Sequence, residues 1–340
     1  MKMSIKYFFL LNFVLLASSC TKVVDLEHLR PESKLVLNSV ASQGEQLKAS
    51  LSRTWFYTDE NPNVVIKDAQ VDLYVNDRLV ETMSWDVEET EYYSIGNYVS
   101  SYHPVSGDKI RIEASKDGFK DVVAEEIVPD RPSLLSFSAE KIKAHDPYAS
   151  KDTKNRFKVT FKDDPDAVNC YMINFQIARP IPEYDDEEWW TKPPVYNGEY
   201  RWERAYIDYA SEPLFGNKIS ILDKVMGNDW LSGYNGRPFS DEQINGKEYT
   251  MTLEESSYAY YYGDSSDLPD SARVYLYAIS EPYYRYLSAL ISLYEGSLNN
   301  DLADVGLAEP VRAFNNIKGG VGILGAVCVD SLTVAIQKLN

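Results

Sequence analysis

Between Lys34 and Val128 the chain is a succession of short runs in which apolar and polar residues alternate, and this pattern constrains the fold more than any other feature. A period of two puts every second side chain on one face of a strand. The runs cover 34–42, 47–55, 69–77, 78–86, 92–100, 108–118 and 121–128. The segment VDLYVNDRLVETM reads as a hairpin turning at Asn76 and Asp77, residue types that tolerate the backbone of a tight turn. Runs of this length and spacing predict an Ig-like β-sandwich over residues 33–130.

Pro129 and Pro132 bracket a boundary, beyond which residues 131–340 predict a larger β-rich domain. Its expected strands are 133–144, 156–161, 169–178, 247–253 and 272–279. One helix is expected near 281–295, with Ser280 as N-cap and Pro282 in the first turn. Tyr283, Leu287, Leu290, Ile291 and Tyr294 would share one face, and Gly296 would end it. The closing stretch, 310–336, reads as strand, turn and strand. The fold class is therefore mainly β: a sandwich followed by a β-rich domain with one helix.

The N-terminus addresses the chain to a membrane. Residues 1–19 combine two lysines, an apolar core from Tyr7 to Ala17 and the small pair Ser18–Ser19, which is the form of a signal peptide. The apolar run is shorter than the roughly 20 residues a spanning helix needs. LLASSC resembles the bacterial lipobox, so Cys20 is expected to be lipidated and residues 20–32 to form a tether. Cleavage would remove Lys2 and Lys6 and no acid, taking the formal charge from −18 to −20. So acidic a chain repels phosphate backbones, and nucleic acid is not an expected partner. Cys170 and Cys328 would remain, and an exported compartment permits a disulfide between them or two separate thiols.

Motifs for chemistry are sparse. Gly320 to Gly325 fit G-x-G-x-x-G, but β-branched residues follow and the chain ends at Asn340, so glycines in a bent or bulged strand are the better account. His28, His103 and His145 are scattered. The acid clusters Asp163/Asp164/Asp166, Asp185 to Glu188 and Asp264/Asp267/Asp270 lack the spacing of a calcium loop. No metal, cofactor or catalytic residue is expected. Binding character resides in the rings, since the 340 residues include 26 tyrosines. The stretch 183–206 has no clean period and reads as a long ordered loop or an excursion from the sheet; it carries Trp189, Trp190, Tyr196, Tyr200, Trp202 and Tyr206. A second cluster holds Tyr258, Tyr260, Tyr261 and Tyr262. Trp and Tyr provide large contact area at modest entropic cost, so these rings are the expected ligand or partner surface, against the alternative that they pack onto their own sheet.

Three segments together resemble the lipoproteins of Bacteroidetes-type bacteria grouped as domain of unknown function 4249. They are CTKVVDL followed by PESKLVLNS, SEPYYRYLSAL (280–290) and EPVRAFNNIKGGVGILGA (309–326), with Leu324 where that family commonly has an aromatic residue. The resemblance covers nearly all of the mature chain and carries over no catalytic residue. It implies an outer-membrane lipoprotein, at the cell surface or the periplasmic face, that is a non-enzymatic accessory or ligand-binding partner of a TonB-dependent barrel in nutrient uptake. A surface adhesin or fimbrial-type structural protein is the alternative. A hydrolase with an unrecognised carboxylate site is the second.

Overall fold

The computed structural model describes residues 27–56, 58–60, 62–89, 94–144, 153–183, 195–215, 236–256, 271–295 and 312–339. After a 3-10 turn at Glu27–Leu29 come eight strands: β1 (Leu35–Ser42), β2 (Lys48–Arg53), β3 (Gln70–Val75), β4 (Arg78–Thr82), β5 (Ser84–Glu89), β6 (Ser94–Val99), β7 (Lys109–Ser115) and β8 (Val122–Ile127). Then follow β9 (Ser133–Lys143), β10 (Thr153–Lys162), β11 (Cys170–Glu183), β12 (Val195–Arg204), β13 (Ile207–Asp208), β14 (Arg237–Ser240), β15 (Glu248–Glu255) and β16 (Ser271–Ile279). Helix α1 (Glu281–Glu295) and strand β17 (Val321–Ala335) complete the order.

A nine-stranded sheet in the order β12-β11-β16-β17-β1-β2-β6-β5, with β14 also on β11, forms the backbone of the molecule. Two four-stranded sheets, β4-β3-β7-β8 and β13-β15-β10-β9, pack against it. The long strand β17 fixes where they sit. Its Leu324 and Ala326 enter the core shared with β3, β7 and β8, while Leu332 and Val334 pack on the core shared with β10 and β15. These four positions have the same parity, so both small sheets cover one face of the long sheet. Val327, Cys170 and Met172 have the opposite parity and contact α1 through Leu287, so the helix covers the other face.

Each half is a sandwich whose inner face follows the alternation. Leu35 and Leu37 on β1 meet Val71, Leu73, Ile110 and Ile112 in one core. In the other, Phe157 and Phe175 stack with centroids 5.1 Å apart, and Tyr171 stacks on Phe239 at 5.5 Å. Full burial of side chains of this size contributes about 1.5–3 kcal/mol each. The turn at Asn76 and Asp77 has φ of 51° and 63°, the positive pair of a type I′ hairpin.

Four features depart from the expected elements. The run 78–86 is two strands, because at the buried Met83 the chain leaves the small sheet for the long one. Residues 195–204, in a stretch without a clean period, form a strand, β12. The last segment is one strand, not two, with residues 312–316 irregular ahead of it. Finally, the core of residues 33–130 is completed by Ile317, Leu324 and Ala326 from the far end of the chain. Strand β17 runs parallel to β1 over Val321–Val327 and antiparallel to β16 over Val327–Ala335. Its flanks bridge to the small sheets, Lys318 to Val123 and Gln337 to Glu140. One strand thus joins both sandwiches.

Candidate partner-contact surface

Within the aromatic stretch, strand β12 extends the long sheet as a ribbon along β11. Strand β12 pairs with β11 so that Trp202 lies opposite Ala178 and Tyr200 opposite Pro180. Ala178 has the parity of Met172, so both rings project from the face that carries α1. A two-residue bulge, with Gly198 at φ 88°, separates these pairs from Tyr196 opposite Pro182. Tyr200 is 41% exposed, while Trp202 and Tyr196 are half-buried. Tyr206, also 41% exposed, stands where the chain leaves the long sheet, its carbonyl accepting from the Ser256 amide at 2.8 Å.

Strand β16, on the far side of β11 from β12, supplies what the aromatic clusters did not reveal. Arg273, Tyr275 and Tyr277 alternate on the same outer face. The Arg273 guanidinium lies 4.1 Å from the Trp202 ring centre, a cation–π contact worth about 0.5–2 kcal/mol. Its Nε donates to Thr333 Oγ1 at 2.9 Å and Nη1 to the Tyr275 hydroxyl at 3.1 Å, and that hydroxyl donates to Gln176 Oε1 at 3.3 Å. Tyr275 stacks on Tyr277 at 6.1 Å, and Tyr277 and Tyr283, at the start of α1, both pack on the cluster of Cys170, Met172, Ile279, Leu287 and Val327. Burial raises the pKa of both Tyr277 and Tyr283, keeping the hydroxyls neutral. Trp202, Arg273, Tyr275, Tyr277 and Tyr283 thus form a continuous strip. Its rings offer stacking surfaces, and the amide, hydroxyl and guanidinium groups are fixed around them.

Many of the other tyrosines hold loops. The Tyr171 hydroxyl donates to Asp163 at 2.7 Å, and the same buried carboxylate accepts from the Gly246 amide at 2.7 Å. Tyr249 donates to Glu212 at 2.5 Å and Tyr102 to Asp108 at 2.6 Å. Burial, reinforced by the bound carboxylate, pushes the Tyr102 pKa up to about 12 and raises those of Tyr171 and Tyr249 as well. Of the first acid cluster, then, Asp163 is a buried structural acceptor while Asp164 and Asp166 face solvent. Among the described residues no group of three or more His, Cys, Asp or Glu side chains could hold a metal ion, and no helix is long and apolar enough to cross a membrane.

Trp189, Trp190, Tyr258, Tyr260, Tyr261, Tyr262 and Cys20 lie outside the described residues. The structure brings Trp202 together with Arg273 and Tyr275, and the alternating ARVYLY of β16 is the sequence signal for that arrangement. Cys170 and Cys328 are buried, are not bonded to each other, and lie on opposite faces of the long sheet, Cys170 toward α1 and Cys328 with the parity of Leu324.

The segments of SEPYYRYL and NNIKGGVGILGA meet beside β1. The Asn316 side chain brackets Leu324, donating to its carbonyl at 2.8 Å and accepting from its amide at 2.9 Å. Ser280 brackets Ala326 in the same way, its amide donating at 2.9 Å and its hydroxyl accepting at 3.1 Å. Asn38 on β1 accepts from the Ile323 amide at 3.2 Å. Gly325 lies beneath the Tyr283 ring, where a Cβ would come within 2.7 Å of it. The glycines therefore serve close packing between β17, β1 and α1. No curated protein is similar enough to the chain to be matched. The family model described as Domain of unknown function (DUF4249) matches residues 21–333, nearly the whole length, and the chain belongs to that family.

Proposed function

We propose that this is an outer-membrane lipoprotein of the Bacteroidetes type, anchored through Cys20, that works without catalysis as accessory or ligand-binding partner of a TonB-dependent transporter. The observation that carries the binding half of this reading is the strip of Trp202, Arg273 and Tyr275. Aromatic rings and arginine are enriched at contact hot spots, and here a guanidinium and an indole are held against each other on the side of the sheet away from both cores. The transport half rests on the family and on the lipobox-like LLASSC.

The adhesive alternative would use an open strand edge for strand addition. At one end of the long sheet β5 carries Asp86, Glu88 and Glu89, charges that discourage such pairing. The hydrolase alternative would use two opposed carboxylates; Asp163, Glu212 and Asp108 are instead each engaged by a tyrosine hydroxyl.

The test is affinity capture of the lipidated protein from native outer membranes, with bound proteins identified by mass spectrometry. A single barrel recovered in near-equal amount, and lost with Trp202→Ala or Arg273→Ala, is the expected result. Recovery of the protein alone or as copies of itself overturns the transporter reading.

A further inference from the structure

The tether ends in a structured collar. Glu27 and Arg30 pair through two contacts of 2.7 Å, and Arg30 also reaches Asp59 at 2.8 Å. Thr58 donates to Glu27 at 2.9 Å, and the Arg30 guanidinium sits 5.0 Å from the Phe56 ring centre. Ser33 donates to the Thr54 carbonyl at 2.8 Å, and Lys34 and Thr54 exchange two further bonds of 2.9 Å. Val64 and Val65 join the same group, Val64 accepting from the Arg53 amide at 2.9 Å and Val65 bridging to Ser52. The first described residues are thereby fastened to 52–56, to Thr58 and Asp59, and through them to 64–65.

These adjoining segments expose three large apolar side chains, Leu29 at 60%, Trp55 at 55% and Val65 at 45%. The charges beside them are paired, Arg30 bridging Glu27 and Asp59. The side-chain bond from Arg30, with help from Thr58, holds the Glu27 pKa down to about 2, and Arg30 likewise lowers that of Asp59, so the pairing persists at any physiological pH.

Chain length determines what this patch can meet. Seven residue steps separate Cys20 from Glu27. At about 3.3–3.6 Å per residue the collar lies within ~25 Å of the lipidated cysteine even at full stretch. A tether so short gives an effective concentration on the order of millimolar, enough for a weak interfacial contact to be occupied. Trp is a side chain suited to the membrane–water interface, apolar in body and polar at one edge. The strong negative charge of the chain argues against an electrostatic hold on anionic lipid and leaves apolar insertion as the driving force.

Resting on the lipid-anchor reading above, we infer that the collar patch of Leu29, Trp55 and Val65 sits in the headgroup layer of the membrane carrying the lipid, so that the anchored protein has a fixed footing rather than a free swing. The patch is too small to hold the protein there without the acyl chains.

The test places a nitroxide at Leu29→Cys, Trp55→Cys or Val168→Cys of the full lipidated chain. Val168 is an 83% exposed reference between β10 and β11. Cys170 and Cys328 are buried and stay unlabelled in the folded protein. The proteins are reconstituted into vesicles of phosphatidylethanolamine and phosphatidylcholine, and collisions with oxygen and with a water-soluble nickel chelate are measured. Positions 29 and 55 are expected to favour oxygen over nickel several-fold relative to position 168. Equal values at all three overturn the footing while leaving the anchor intact; failure to co-float with vesicles overturns the anchor as well. Protection seen only in native membranes, not in pure lipid, assigns the patch to a protein partner and also overturns the inference.

Discussion

Replacing Gly322 by alanine tests whether the close approach of β17 to β1 is what ties the two sandwiches together. Gly322 has φ of 124°, and a Cβ there would lie 2.0 Å from the carbonyl oxygen of Leu37, its partner in the ladder. Real Cβ atoms do not come within 3.0 Å, so the strands must part by about 1 Å. The conformational share of the cost is about 1–2 kcal/mol, the usual penalty for an L residue at positive φ. Parting the strands weakens two or three neighbouring ladder bonds, each worth about 1 kcal/mol net. The sum expected for Gly322→Ala is roughly 3–5 kcal/mol.

Two controls separate the contributions. Gly107 has φ of 83° with nothing within 4 Å of its would-be Cβ, so Gly107→Ala should cost the conformational share alone. Gly320 is not at positive φ, yet its Cβ would fall 2.4 Å from the Leu35 carbonyl oxygen; Gly320→Ala should show the steric share alone, about 2–3 kcal/mol. Urea unfolding of the full protein in detergent micelles, followed by tryptophan fluorescence, gives each value from the midpoint and slope. If Gly322→Ala unfolds at the same urea concentration as Gly107→Ala, the β1–β17 contact is not the constraint argued here.

Cys170 and Cys328 lie on β11 and β17, two strand spacings apart across β16 and on opposite faces, a separation of about 9.5 Å where a disulfide needs less than about 7 Å. Two thiols should therefore react with a chromogenic disulfide after unfolding and neither quickly before, and a peptide pair linked 170–328 would contradict the register. Tyr171→Phe takes a donor from the buried Asp163 and should cost about 1–3 kcal/mol in the same urea assay; an unchanged midpoint would mean that carboxylate has another donor to turn to. Burial alone would raise the Glu254 pKa, but the bonds from Lys154 and Arg156 outweigh it and hold it below the unfolded value of 4.5. Its contribution to stability is present above pH 4.5 and falls away as pH drops through the depressed folded value. Glu254→Gln should flatten that part of the acid limb, and an identical limb would show that the pair contributes nothing.

The sheet positions were legible wherever one face is buried and the other wet. KLVLNSVAS became β1 with every second residue in the core, and ARVYLYAI became β16. Periodicity has no term for a strand that changes sheets: RLVETMSWD alternates only from Thr82 on, after the adjacent pairs Leu79–Val80 and Glu81–Thr82, and the change of sheet falls at the buried Met83. The ribbon strand β12 was hidden for a different reason. Its rings stand at even positions as a strand requires, but the stretch 183–206 as a whole has no clean period, and the bulge at Gly198 shifts the register midway.

Pairing between β1 and β17 could not be read from local pattern at all, because the partners lie some 285 residues apart and a parallel ladder has no turn to announce it. The glycines between Gly319 and Gly325 were its trace. A nucleotide loop would need Gly at such positions to admit phosphate; here Asp121, Leu35 and Leu37 carbonyls and the Tyr283 ring occupy the space where Cβ atoms would stand. The string G-x-G-x-x-G is therefore a record of the β1 backbone and the Tyr283 ring closely approaching one strand, not of a helix N-terminus. It follows that SEPYYRYL and NNIKGGVGILGA, read separately as family motifs, are two sides of a single packing contact, which a substitution at either Tyr283 or Gly325 would disturb in the same way.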